Sequence, residues 1–80
     1  MLKVEIFYNS TVDNDTPAKA DEIRAKYKGK VDVYLLDISE HTAPEKYGII
    51  NAPSVVIDEK QIYKLEGPDS LTGIVKNVIF

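Results

Sequence analysis

The sequence contains no cysteine. That excludes a disulfide staple, a thiolate nucleophile, a paired-cysteine redox motif and any cysteine metal site. Small secreted domains often depend on disulfides, so their absence predicts a reducing compartment, with the cytoplasm as the expected location. Histidine occurs once, at His41, with neither a second histidine nor a cysteine to join it. A catalytic triad or zinc site is therefore not expected. No apolar run approaches the roughly 20 residues that span a bilayer. Met1-Leu2-Lys3-Val4-Glu5 reads as a strand carrying charge and not as a signal peptide, so no membrane association is expected. Positive charge is in deficit: 10 Lys+Arg against 13 Asp+Glu leave a net charge of −3. Nucleic acid is not an expected partner, because displacing counterions from phosphates takes a basic face.

What is present is ordinary for a folded domain. Hydrophobic residues make up 44% and charged residues 29% of 80 residues, enough for one core and too much apolar content for disorder. No repeat, low-complexity tract or Gly/Pro/Ser-rich linker divides residues 1–80, which read as a single domain.

Leu2, Val4, Ile6 and Tyr8 alternate with Lys3, Glu5 and Phe7, the period of a strand. The polar stretch Asn9 to Thr16 is a loop. Thr16-Pro17 opens a helix, with Thr as cap and Pro where its missing N–H costs nothing. Ala20, Ile23 and Tyr27 share one helix face, and Gly29 stops it. Val31, Val33 and Leu35 mark a second strand. Thr42-Ala43-Pro44-Glu45 fits a capping box for a short helix ending near Tyr47-Gly48. Ser54 to Asp58 is a third strand, Glu59-Lys60 a tight turn and Gln61 to Leu65 a fourth strand. Leu71, Ile74, Val75 and Val78 recur with helical period after Gly67-Pro68-Asp69-Ser70. The order is β-α-β-α-β-β-α, with the first two strands parallel and the last two a hairpin. It predicts an α/β fold: a four-stranded mixed sheet with helices on both faces.

This order, and above all Tyr47-Gly48-Ile49-Ile50-Asn51-Ala52-Pro53-Ser54-Val55-Val56-Ile57-Asp58, resembles the thioredoxin/glutaredoxin-like superfamily, whose third strand opens at a cis proline. Gln61-Ile62-Tyr63-Lys64-Leu65-Glu66-Gly67 and Ser70-Leu71 extend the likeness across nearly the whole chain. The resemblance implies a thioredoxin-like fold, with Ala52 and Pro53 facing the loop after the first strand and pairing with an extended peptide or with glutathione. A turn at Pro53 also serves the fold alone. The resemblance places the family's cysteine pair on Asp13-Asn14-Asp15-Thr16. Neither Asp13 nor Thr16 can form a disulfide, so thiol–disulfide exchange is excluded.

The alternating oxygens of Asp13, Asn14 and Asp15 suit Ca²⁺ or Mg²⁺, but the glycine and distal glutamate of an EF-hand loop are missing, and no metal site is expected. Asp69 and Ser70 stand where the resemblance puts the γ-glutamyl carboxylate of glutathione; they also make an ordinary helix cap. Tyr8, Ser10 and Thr11 offer hydroxyls where glutathione transferases activate sulfur, yet those enzymes use a second helical domain. Lys19, Lys26, Lys28 and Lys30 read as a solvated helix face. Tyr34 and Tyr63 are candidates for an exposed aromatic patch, with half-buried packing the alternative. Val78-Ile79-Phe80 is a candidate apolar interaction patch.

The expected function is a redox-inactive module that binds an extended peptide or partner protein at a Pro53 cleft by strand addition. That cleft comprises Asp13, Thr16, Ala52, Pro53, Asp69 and Ser70. The alternatives are a glutathione-binding or glutathione-dependent enzyme and a structural or assembly role without a small ligand. No cofactor is expected.

Overall fold

The computed structural model describes residues 1–41, 44–67 and 69–79. Its elements are β1 (Leu2–Tyr8), α1 (Thr16–Lys26), β2 (Val31–Asp37), a 3₁₀ turn (Glu45–Tyr47), β3 (Ser54–Ile57), β4 (Gln61–Lys64) and α2 (Ser70–Ile79). The strands form one mixed sheet in the order β2-β1-β3-β4. β1 and β2 are parallel, with Val4 opposite Val33, while β3 runs antiparallel to both β1 and β4. The class is α/β.

Alternation along the strands decides what is buried. Val4 and Ile6 of β1, Val31 and Val33 of β2, and Val55 and Ile57 of β3 meet Ala20, Ile23 and Tyr27 of α1 and Leu71 and Val75 of α2. Each valine, isoleucine and leucine among them contributes about 1.5–3 kcal/mol when fully buried. Val78 and Ile79 pack against this core instead of forming an open patch; Phe80 lies outside the described residues. On the edge strand β2, the Arg24 guanidinium donates to the Val33 carbonyl at 3.2 Å. A cation placed there blunts a strand edge that would otherwise invite pairing.

Both α-helices pack on one face of the sheet, so the expectation of helices on both faces is corrected. The other face buries Phe7, Tyr47 and Val56, with Leu36, Ile38 and Ile50 half-buried around them. The expected helix near residues 42–48 is a turn of three residues, Glu45–Tyr47. Pro44 before it is extended (ψ 135°) and Gly48 after it has φ +69°. That leaves too few residues between the two to repay helix nucleation. Thr42 and Ala43 of the expected capping box lie outside the described residues.

The Tyr47 hydroxyl donates to the Glu5 carboxylate. Burial and this bond push the phenol up to about 12, so it remains a donor at neutral pH. Lys3 lies 3.6 Å from Glu59, which Lys46 also engages.

The tight turn is centred on Asp58 and Glu59, one residue earlier than the sequence predicts. Both have positive φ (50° and 61°), and the Lys60 N–H donates to the Ile57 carbonyl at 3.0 Å. Left-handed residues match the twist of a hairpin, and the Asp58 carboxylate is held by the Lys3 N–H at 2.9 Å. Tyr34 and Tyr63 form no common patch. Tyr34 is exposed on edge strand β2 opposite Glu5, with Lys3 above its ring, whereas Tyr63 of β4 packs against the main core. Among the described residues, no helix is long and apolar enough to cross a membrane.

Candidate functional site

The loop between β1 and α1 is a set of short polar turns. The Asn9 side chain accepts the Thr11 N–H at 3.0 Å and the Thr11 hydroxyl. Asp37, at the end of β2, accepts the Ser10 N–H at 3.2 Å and the Ser39 N–H at 3.0 Å. The hydroxyls of Ser10 and Ser39 meet at 3.1 Å. Bonds from Ser10 and Ser39 hold the Asp37 carboxyl well below the usual carboxylate range.

Asp13 is then the acceptor at the start of α1. Its carboxylate accepts the Asp15 N–H at 2.9 Å, the Thr16 N–H at 3.1 Å and the Thr16 hydroxyl. The sequence suggests Thr16 as the cap; instead Thr16 is the first helical residue and donates to Asp13. A carboxylate outcompetes a hydroxyl here because it accepts two N–H groups and a hydroxyl at once and sits well at the positive end of a helix. The two positions where the resemblance places cysteines therefore hold a hydrogen-bonded carboxylate and hydroxyl. Burial raises the Asp13 pKa, but the three bonds from Thr16 and Asp15 outweigh it and hold the carboxyl below its ordinary value.

This shift has a sign in pH. A lowered folded-state pKa stabilises the fold above the unfolded value and is lost as pH falls through the folded one. Asp37 and Glu59 are shifted the same way, Glu59 chiefly by Lys46. The urea midpoint should fall as pH drops from neutral through about 4 and below. Asp13→Asn should flatten part of that fall, and an unchanged pH profile in that variant would contradict the role given to Asp13.

Across from this loop, the chain turns at Asn51-Ala52-Pro53. The Ala52-Pro53 bond is cis, as the resemblance implies. Three donors hold the turn's carbonyls. The Ser54 hydroxyl donates to Asn51. The Lys64 ammonium donates to Ala52 at 2.8 Å and to Asn51 at 3.3 Å. The Leu65 N–H donates to Pro53 at 2.9 Å. The Ala52 N–H has no partner among the described residues.

Between the two lies a cleft of about 590 Å³. Asp13, Asp15, Thr16, Ala18, Lys19 and Glu22 form one wall, and Pro53, Leu65, Gly67, Ser70 and Leu71 the other. Leu65 and Leu71 are buried and make part of that lining apolar. Its size falls in the range of small-ligand sites.

Asp13, Thr16, Pro53 and Ser70 thus come together. Ala52 and Asp69 do not line the cleft, and the Ser70 hydroxyl donates to the Gly67 carbonyl at 3.1 Å. Tyr8, Ser10 and Thr11 do not line it either, and the last two hydroxyls are engaged within their loops. His41 is exposed, and among the described residues no cluster of acidic or histidine side chains could hold a metal. Sequence reasoning missed Lys64, Glu22, Leu65 and Leu71. Leu71 was legible as the first apolar residue of α2. Lys64 carried no signal, because its role depends on a turn 12 and 13 residues away.

No protein-family model matches this sequence, and no curated protein matches it. Fold and site together define a small α/β domain with one mixed sheet and an acid-rimmed cleft at the N-terminus of α1.

Proposed function

We propose that this chain is a redox-inactive thioredoxin-like module that binds an extended peptide or protein segment in the cleft beside Pro53. The observation that carries the reading is the cleft itself. It joins Asp13 and Thr16, where the resemblance puts cysteines, to Pro53, Leu65 and Ser70 across it. The strand order, with a parallel β1–β2 pair and a β3–β4 hairpin, supports a thioredoxin-like arrangement. The short turn at Glu45–Tyr47, in place of a full helix, is a departure from it.

Strand addition draws on backbone donors and acceptors in alternation. At this turn, which adjoins the cleft through Pro53, the Ala52 N–H has no partner among the described residues, and the Ala52 carbonyl is held by Lys64. A peptide therefore gains its first bond from the N–H and a second at the carbonyl in competition with the ammonium, which already takes one of its two lone pairs.

The test is an NMR titration of the labelled chain with an acetylated, amidated Gly-Leu-Gln-Ala-Gly peptide and, separately, with reduced glutathione. Saturable shifts with the peptide at Thr16, Ala52, Leu65 and Ser70 are the expected result. Shifts with glutathione alone would favour the glutathione-dependent alternative. No shift with either at millimolar concentration would overturn the reading and leave a structural role. Lys64→Met should tighten the peptide by about three- to tenfold, the worth of one further hydrogen bond. Unchanged or weaker binding in that variant would remove the Ala52 carbonyl from the pairing.

A further inference from the structure

The rim of the cleft carries charge of mostly one sign. We propose that it selects extended peptides in which a lysine or arginine adjoins an apolar residue, and that it excludes anionic ligands, glutathione among them. This selectivity rests on the peptide-binding reading above.

Asp13, Asp15 and Glu22 all line the cleft, and among the described residues Lys19 is the one cation lining it. Lys19 already lies 3.9 Å from Glu22, so part of its charge is compensated locally. The Asp15 side chain is exposed and has no hydrogen bond or ion pair among the described residues. Asp13 remains a carboxylate while it accepts the Asp15 and Thr16 N–H groups, and its charge still contributes to the field at the rim. Pro53, Leu65 and Leu71 supply the apolar part of the same lining, and the two leucines are buried.

Neighbouring side chains of an extended peptide point to opposite sides. A residue lowered onto Leu65 and Leu71 therefore leaves its neighbours at the rim, beside Asp15 and Glu22. A cation there completes an unpaired carboxylate, and its apolar stem extends the contact with the apolar lining. Glutathione is anionic at neutral pH and meets the same carboxylates as like charge.

The experiment uses the whole chain and three acetylated, amidated peptides, Gly-Leu-X-Ala-Gly, with X lysine, glutamine or glutamate. The lysine peptide should bind about fivefold more tightly than the glutamine peptide, and the glutamate peptide more weakly than both. The differences should shrink as salt rises, since screening acts within about 8 Å at physiological ionic strength. In the double variant Asp15→Asn with Glu22→Gln, the ratio of lysine-peptide to glutamine-peptide affinity should fall to about one. Equal affinities for all three peptides would overturn the charge selectivity and leave the peptide-binding reading intact. A lysine preference that survives the double variant would overturn the assignment to this rim. Failure of every peptide to bind would overturn the peptide-binding reading and this selectivity with it.

Discussion

Phe7→Ala should destabilise the domain by about 3–5 kcal/mol, the largest loss expected from any single truncation here. Phe7 is fully buried on the sheet face that carries no α-helix, in a cluster whose other buried members are Tyr47 and Val56. Its ring meets Tyr47 edge-on, with centroids 6.1 Å apart and planes at 70°. Such a pair adds about 0.5–1.5 kcal/mol beyond burial. The cluster is small, so few neighbours can close the cavity. A domain of this size is typically stable by about 0.05–0.15 kcal/mol per residue, so the variant should sit near its unfolding midpoint at 25 °C. Urea unfolding followed by circular dichroism measures the loss. A loss under about 1 kcal/mol would mean that the segment over Phe7 is not a true second layer.

Gly48→Ala should cost about 1–3 kcal/mol although the new methyl group meets nothing. A Cβ built on Gly48 has no atom within 4 Å. The penalty is in the backbone: φ +69° and ψ −143° lie close to a region that only glycine occupies without strain. The residue immediately follows Tyr47, so relaxing its backbone shifts the ring that packs on Phe7. Gly73→Ala is the control. Gly73 also has open space around its Cβ position, but it lies inside α2 with no positive φ. Alanine there should stabilise by up to about 1 kcal/mol through helix propensity and a less flexible unfolded chain. Opposite signs for the two substitutions are the expected result. A neutral Gly48→Ala would show that the turn readily adopts another conformation.

The two glycines illustrate how much of this protein local pattern can reveal. Four strands and two helices were legible because each carries a period. Val4 and Ile6 alternate, Val55 and Ile57 alternate, and Leu71, Ile74 and Val75 recur with helical spacing. Phe7 shows where such reading stops. Alternation sets it with Lys3 and Glu5, on what looks like a polar face, and only the segment carrying Tyr47 and Ile50 makes that face a core. The short helix near residues 42–48 failed for a related reason. A capping pattern describes how a helix can start, but Pro44 and Gly48 leave no length for it to continue.

The candidate site divides along the same line. Pro53 and the Asp13–Thr16 segment stood out in the sequence, and the tertiary structure brings them to one cleft. Asp13 as the acceptor at the start of α1, Lys64 on the Ala52 carbonyl and Glu22 at the rim were not legible, because each depends on side-chain geometry or on chain segments meeting in space.

By itself, then, the sequence determined the elements, their periodic faces and the loss of thiol chemistry, since these depend on residue type and local spacing. The tertiary structure decided the central place of β1, the shared face of the two helices, the second core around Phe7 and the charge around the cleft. Those depend on which distant segments pack together, and packing is set by the whole chain closing on itself.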